Sequence, residues 1–153
     1  MTNYCVENKE PELYGPMCVN DVLDINFKLI EPNSRIDLFD GFVDVLENKC
    51  WKAEECVANL LTLENKKILH TADSSEFSEE LKSINREIDL CFVACFESNF
   101  NDYLDFLNTI STKMVIPYHF NEEKIEEAEK LNYFLKDNKI NSKFLSIGEE
   151  IKI

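Results

Sequence analysis

The chain has 153 residues, 44% hydrophobic and 11% aromatic with eleven Phe, so it carries enough apolar surface to build one domain around its own core. Thirty acidic residues against sixteen basic ones leave a formal net charge of -14, which repels phosphate backbones and anionic headgroups and argues against nucleic-acid and membrane partners. No apolar run approaches the ~20 residues of a membrane helix, and the opening MTNYCVENKEPELYG has no basic segment leading into an apolar stretch, so a soluble cytoplasmic protein is expected.

In chain order, residues 1 to 34 hold three of the four prolines and little periodicity, and read as irregular, with one short element within VNDVLDINFKLI. SRIDLFDGFVDVLEN holds two alternating runs around Asp40-Gly41, a strong hairpin signal. AEECVANLLTLENKKILH fits either a helix, with Cys56, Leu60 and Leu63 on one side, or a second hairpin turning at EN; periodicity alone leaves both open. From KKILHT onward strands and helices alternate. SSEFSEELKSIN spaces Phe77, Leu81 and Ile84 as a helix, and IDLCFVACF is a strand apolar on both faces. NDYLDFLNTIS puts Tyr103, Phe106, Leu107 and Ile110 on one stripe with Asn99 or Asn101 as cap, and KMVIPYHF is a buried strand. NEEKIEEAEKLNYFLKDN is the longest helix, starting at Asn121 and stopping at Asn138, and SKFLSI and EEIKI are expected to close the chain as strands. This β-α-β-α-β-α-β order predicts a single α/β domain over 1 to 153 with a largely parallel second half.

The six cysteines form no C-x-x-C pair, and Cys91 and Cys95 inside the apolar strand read as buried free thiols. Chemistry in such a sheet gathers at the carboxyl ends of the strands, where KKILHTAD delivers Asp73, IDLCFVACFES delivers Glu97 and KMVIPYH delivers His119. An Asp and a His from separate loops meeting there would assemble metal ligands or an acid/base pair. The plainer alternatives are a helix cap for Asp73 and a structural hydrogen bond near a helix start for His119. His70, inside its strand, reads as structural. Trp51, beside Cys50, reads as core rather than contact surface, and the alternating charges of NEEKIEEAEK as a solvated helix face.

At these residues the chain resembles a family. ILHTADSSEF, EIDLCFVACFE, KMVIPYHF and FLSIGEEIKI, preceded by the strands of IDLFDGFVDVLENKCWKAEECVANLLTLENKK, are similar to the C-terminal half of metallo-β-lactamase-fold hydrolases of the lactonase-like, metal-dependent branch, over roughly residues 34 to 153. The resemblance implies a partial or degenerate αββα architecture, makes residues 56 to 63 a strand, and matches Asp73 to the family's metal-bridging aspartate and His119 to its last histidine ligand. Cys50 stands near the place of a further histidine, and zinc or another divalent metal is the cofactor implied.

The departures weigh more. No histidine precedes His70, so the family's H-x-H-x-D-H loop is absent from these residues, and Ala72 replaces the glycine of its T-G-D turn. Two-metal hydrolysis clamps both ions, and Asp73, His119 and Cys50 supply at most three ligands. The expectation is therefore a degenerate member without bound metal, acting as a binding or assembly protein with a small-molecule ligand, a partner protein or a second copy to cover an open sheet face. The alternative is a metal-dependent hydrolase of small phosphoester or lactone substrates with Asp73 and His119 as its remaining ligands. A flavodoxin- or receiver-like signalling module fits less well, because the acidic cluster and strand-end lysine of a receiver are missing.

Overall fold

The computed structural model describes residues 12–19, 25–50 and 55–153. Cys5, Trp51 and much of the irregular segment therefore lie outside the described residues. Within 12–30, β1 (Tyr14–Gly15) pairs in parallel with β2 (Lys28–Leu29), the short element expected in VNDVLDINFKLI.

A six-stranded sheet follows in strict chain order: β3 (Arg35–Leu38), β4 (Gly41–Glu47), β5 (Val57–Leu63), β6 (Lys66–His70), β7 (Leu90–Ala94) and β8 (Val115–Tyr118). The first four strands are antiparallel, and β6, β7 and β8 run parallel. The hairpin signal at Asp40-Gly41 is real, but Leu38 pairs with Gly41, so Phe39 and Asp40 make the turn. Gly41 serves a different purpose: a Cβ there would overlap the Thr62 carbonyl of β5. The ambiguous stretch is strand, as the resemblance implies. Its EN turn places Glu64 at φ 47° and Asn65 at φ 67°, the two left-handed residues of a type I′ hairpin turn.

Three helices return the chain between and after the parallel strands: α1 (Glu79–Lys82), α2 (Phe100–Leu107) and α3 (Ile125–Asp137). The helix expected from SSEFSEELKSIN is a single turn, capped by Ser78, whose Oγ accepts from Leu81 N–H at 3.1 Å and donates to the Glu47 carbonyl at 2.6 Å. Asn99 holds the N-cap position of α2 but donates to the Asp102 carboxylate (2.8 Å) instead of capping the backbone. Asn121 accepts from Glu123 N–H at 3.1 Å and starts the 3-10 turn into α3, and Asn138 is its C-cap.

Pairing register shows which side chains share a face. Leu60, Leu69, Cys91 and Val115 form one row across four strands, and all are buried against Phe77, Leu81, Phe106, Leu131 and Leu135 of the helical layer. The adjacent row, Asn59, His70, Phe92 and Ile116, points the other way. On that second face Val43, Val57, Leu61, Ile68, His70, Phe92 and Tyr118 are each only partly buried. The sheet thus has one helix-covered face and a second apolar face that is covered in part, with Val45, Leu90 and Ile116 buried on it. Cys91 and Cys95 are buried as expected, and burial pushes the Cys91 thiol up to about 12.

The closing strands expected in SKFLSI and EEIKI do not form. Ser142 alone bridges to Val115, with Val115 N–H donating to Asn141 O (2.9 Å) and Lys143 N–H to Val115 O (3.0 Å). The chain then leaves the sheet edge at a turn, in which Glu149 N–H donates to Ser146 O at 2.9 Å and Gly148 takes φ 84°. Among the described residues no helix is long and apolar enough to cross a membrane.

Candidate functional site

The carboxyl ends of β6 and β8 carry the two residues that the sequence singles out. Thr71 locks the end of β6: it is fully buried, and its Oγ1 donates to the Phe92 carbonyl of β7 at 3.0 Å. Asn48, 5% exposed, donates from Nδ2 to the Thr71 carbonyl at 2.8 Å and ties the loop after β4 to the same point. The next residue, Ala72, has φ 55°, and Asp73 emerges exposed from that left-handed bend. Ser78 rather than Asp73 caps the following helix, so capping does not explain the aspartate. His119 follows β8 with φ 65°, again left-handed, and is exposed. Its ring lies edge-on to Phe96 with centroids 5.2 Å apart, and Asn121, not His119, starts the next helix. Non-glycine residues at positive φ cost about 1 to 3 kcal/mol and collect where surrounding structure forces them. Two stand at this one sheet edge.

The Asp73 charge acts on Cys56 and on Tyr118, and Cys50 is a further neighbour of Cys56. Cys50 and Asp73 thus both act on Cys56, a residue that sequence reading treats only as part of an ambiguous strand. Its alternating position gives no chemical signal, because its partner lies on a different loop. Burial, with the neighbouring Cys50 and the Asp73 charge, pushes the Cys56 thiol up to about 11. At neutral pH it is therefore protonated, a weak nucleophile and a weak ligand. Among the described residues Tyr118 Oη is buried and finds no hydrogen-bond partner, and burial raises its ionisation further from neutrality. Glu97 is drawn away to an ion pair with Lys130 of α3 at 3.0 Å.

The residues present do not make up a metal centre. Among the described residues no group of three or more His, Cys, Asp or Glu side chains is gathered so as to hold an ion. The Asp73 charge acts on Cys56 and Tyr118, and the His119 ring lies edge-on to both Phe96 (5.2 Å) and Tyr118 (6.1 Å), beside a shallow cleft of about 350 Å³ with Phe120, Asn121 and Lys124.

The other histidine is structural, as its strand position predicts. The His70 ring sits 4.5 Å from the Tyr118 ring and 5.9 Å from that of Phe92, and its Nδ1 accepts from Ala72 N–H at 3.2 Å. That bond requires a neutral imidazole with the proton on Nε2, and burial lowers the pKa from its ordinary value. Below about pH 6.5 the unfolded chain takes up a proton that the folded chain refuses, so stability falls as pH drops through that point. Urea unfolding at pH 7.5 and pH 5.5 should show wild type losing more stability on acidification than His70→Gln.

The bend at Ala72 holds strain that substitution can release. Glycine has no Cβ to strain at φ 55°, so Ala72→Gly should raise the unfolding free energy by about 0.5 to 1 kcal/mol, measured by the same urea method. A loss of stability would mean that the left-handed bend costs nothing.

Solved structures share this fold. A candidate metal-dependent hydrolase from Parabacteroides distasonis superposes with a TM-score of 0.70 at 15% identity, covering 92% of this chain and 67% of that one. The metallo-β-lactamase fold protein YhfI from Bacillus subtilis matches with a TM-score of 0.59 at 14% identity, over 79% of this chain and 53% of that chain. The fold is that of the metallo-β-lactamases. A candidate zinc-dependent hydrolase of the metallo-β-lactamase superfamily from Thermotoga maritima gives a TM-score of 0.55 at 14% identity, over 84% and 72% of the two chains. No protein-family model matches the sequence, and no curated protein matches it. This chain therefore carries part of a metallo-β-lactamase fold, about two thirds of the first protein's length and about half of YhfI's. The hairpins, the HTAD turn and the VIPYHF strand stand in the order that the resemblance implies.

Proposed function

We propose that this chain is a degenerate metallo-β-lactamase-fold protein that has given up metal-dependent hydrolysis and works as a binding or assembly protein, pairing with a second copy. The observation that carries the reading is the set of partly exposed apolar side chains on the second face of the sheet. Val43, Val57, Leu61, Ile68 and Phe92 lie on it, opposite the helical layer. An apolar sheet face favours burial, and each 100 Å² removed from water is worth about 2.5 kcal/mol. A two-fold pair would bring the same apolar patch of both copies together and cover it. The ligand inventory supports the loss of hydrolysis: within these 153 residues there are two histidines, one of them held neutral against Tyr118.

Leu61 lies in the middle of β5 on this face, and charge there would be desolvated by a partner. Light scattering at micromolar concentration should give wild type about twice the 17.9 kDa chain mass and Leu61→Glu the chain mass itself. A wild-type monomer would end the assembly reading.

A second reading keeps catalysis: a hydrolase of small phosphoester or lactone substrates, with a divalent metal held by Asp73 and His119 and completed by Cys50 or a partner. The left-handed backbone at both Ala72 and His119 favours it, since such strain collects at functional sites.

A further inference from the structure

We infer that the cleft between β3, β4 and the end of α1 binds a small organic anion with a single carboxylate or phosphate group between Arg35 and Arg86. These are the only arginines in the chain, and they come together from separate elements around one carboxylate. Asp44 Oδ1 accepts from Arg35 Nε at 2.7 Å and from its Nη2 at 2.6 Å, while Oδ2 accepts from Arg86 Nη1 at 3.3 Å. The Asp44 side chain is 16% exposed and the two arginines 49% and 52%, so the carboxylate sits inward and the guanidinium groups reach outward. Arg35 is further braced on the Phe42 ring, 3.8 Å from its centroid.

A single arginine would neutralise Asp44. The second adds donors beyond that task, since the arrangement leaves Nη1 of Arg35 and both Nε and Nη2 of Arg86 without a bond to Asp44. Paired planar donors of this kind match a carboxylate or a phosphate monoester. The cleft encloses about 370 Å³, with Asn33, Ser83 and Asn85 as further polar groups and partly exposed Leu46 and Ile84 as an apolar wall for the body of a ligand. Glu80 also lines it, with Oε2 accepting from Glu47 N–H at 2.8 Å. Two positive and two negative groups then balance locally, in a chain of net charge -14. That balance leaves the free arginine donors rather than net charge to hold the anion, and it disfavours a polyphosphate. The cleft lies on the helix-bearing face, away from the HTAD turn, so the inference stands whatever becomes of the metal question.

Having two arginines makes the test direct, because the side-chain Nε–H region of an amide correlation spectrum holds two signals. Titration with phenyl phosphate and with phenylacetate separates the two anion chemistries, and benzyl alcohol is the neutral control. Both signals should move together and saturate with at least one of the anions, and stay still with benzyl alcohol. In Arg86→Gln, Asp44 keeps Arg35 as its partner, and the same anion should bind about tenfold more weakly, the worth of one charged hydrogen bond. Arg86→Lys, which keeps the charge but loses the fork, should also weaken it. Failure of both anions to saturate, an equal response to benzyl alcohol, or unchanged affinity in both variants would overturn the inference.

Discussion

Phe106→Ala is expected to lower the unfolding free energy by about 3 to 5 kcal/mol, the range for removing a fully buried aromatic ring. Phe106 is 1% exposed, and its ring stacks on Phe77 at 3.9 Å between centroids and 9° between planes. Phe77 in turn meets Tyr103 edge-on at 6.2 Å. The truncation therefore removes a ring from the seam between α2 and the segment leading to α1, and neighbours held by separate backbones cannot close the void. The consequence reaches the candidate site, because Phe77 anchors the segment that begins at Asp73. Ser74 in the same segment bonds the Lys49 carbonyl, so Phe77, Ser74 and Ser78 together hold that loop on the sheet. Urea unfolding with an unchanged slope should report the loss. A loss below about 1 kcal/mol would show that the two rings pack independently.

Gly41→Ala is the second large effect, and it comes from addition rather than removal. An added Cβ would collide with the Thr62 carbonyl oxygen and crowd the Leu63 Cα, both backbone atoms of a paired strand. Neither can move without breaking the β4–β5 ladder, which pairs seven residues from Gly41–Leu63 to Glu47–Val57. Overpacking of this kind costs about 1 to 3 kcal/mol, and a rigid backbone target puts Gly41→Ala at the upper end. Asp40→Ala, at the turn itself, should cost under about 1 kcal/mol, because neither turn residue needs positive φ. Equal losses in the two variants would place the glycine requirement back in the turn.

That contrast shows what the sequence could and could not reveal. Asp-Gly between alternating runs marks a hairpin correctly, yet the pattern attributes the glycine to the turn, since a close approach to a third strand leaves no local trace. The parallel half is legible because each of its strands is apolar on both faces and each helix carries a 3.6-residue stripe. The 56 to 63 strand is not, because Cys56, Leu60 and Leu63 satisfy both periods, and only the motif order decides it. The closing strands fail for the opposite reason: SKFLSI has strand composition, but after Ser142 the turn around Gly148 takes it off the sheet. At the site, Asp73 and His119 are placed at strand ends by topology alone. Cys56 and the Arg35–Asp44–Arg86 group are invisible in sequence, because their partners come from other elements.

The same limits apply to chemistry. Sequence can show that these 153 residues hold two histidines, and the structure adds that Tyr118 meets both the Asp73 charge and the His119 ring without a group of three ligands forming among the described residues. A metallo-β-lactamase fold is compatible with either outcome, because fold does not fix function.

The most direct test is the metal content of the native protein: untagged chain, purified without added metal, resolved by size and passed to elemental analysis. A degenerate, self-pairing chain should give a dimer peak with far less than one equivalent of zinc, iron or manganese per chain. One equivalent or more travelling with the protein, and lost in both Asp73→Ala and His119→Ala, would contradict that reading and make this chain a metal-dependent enzyme.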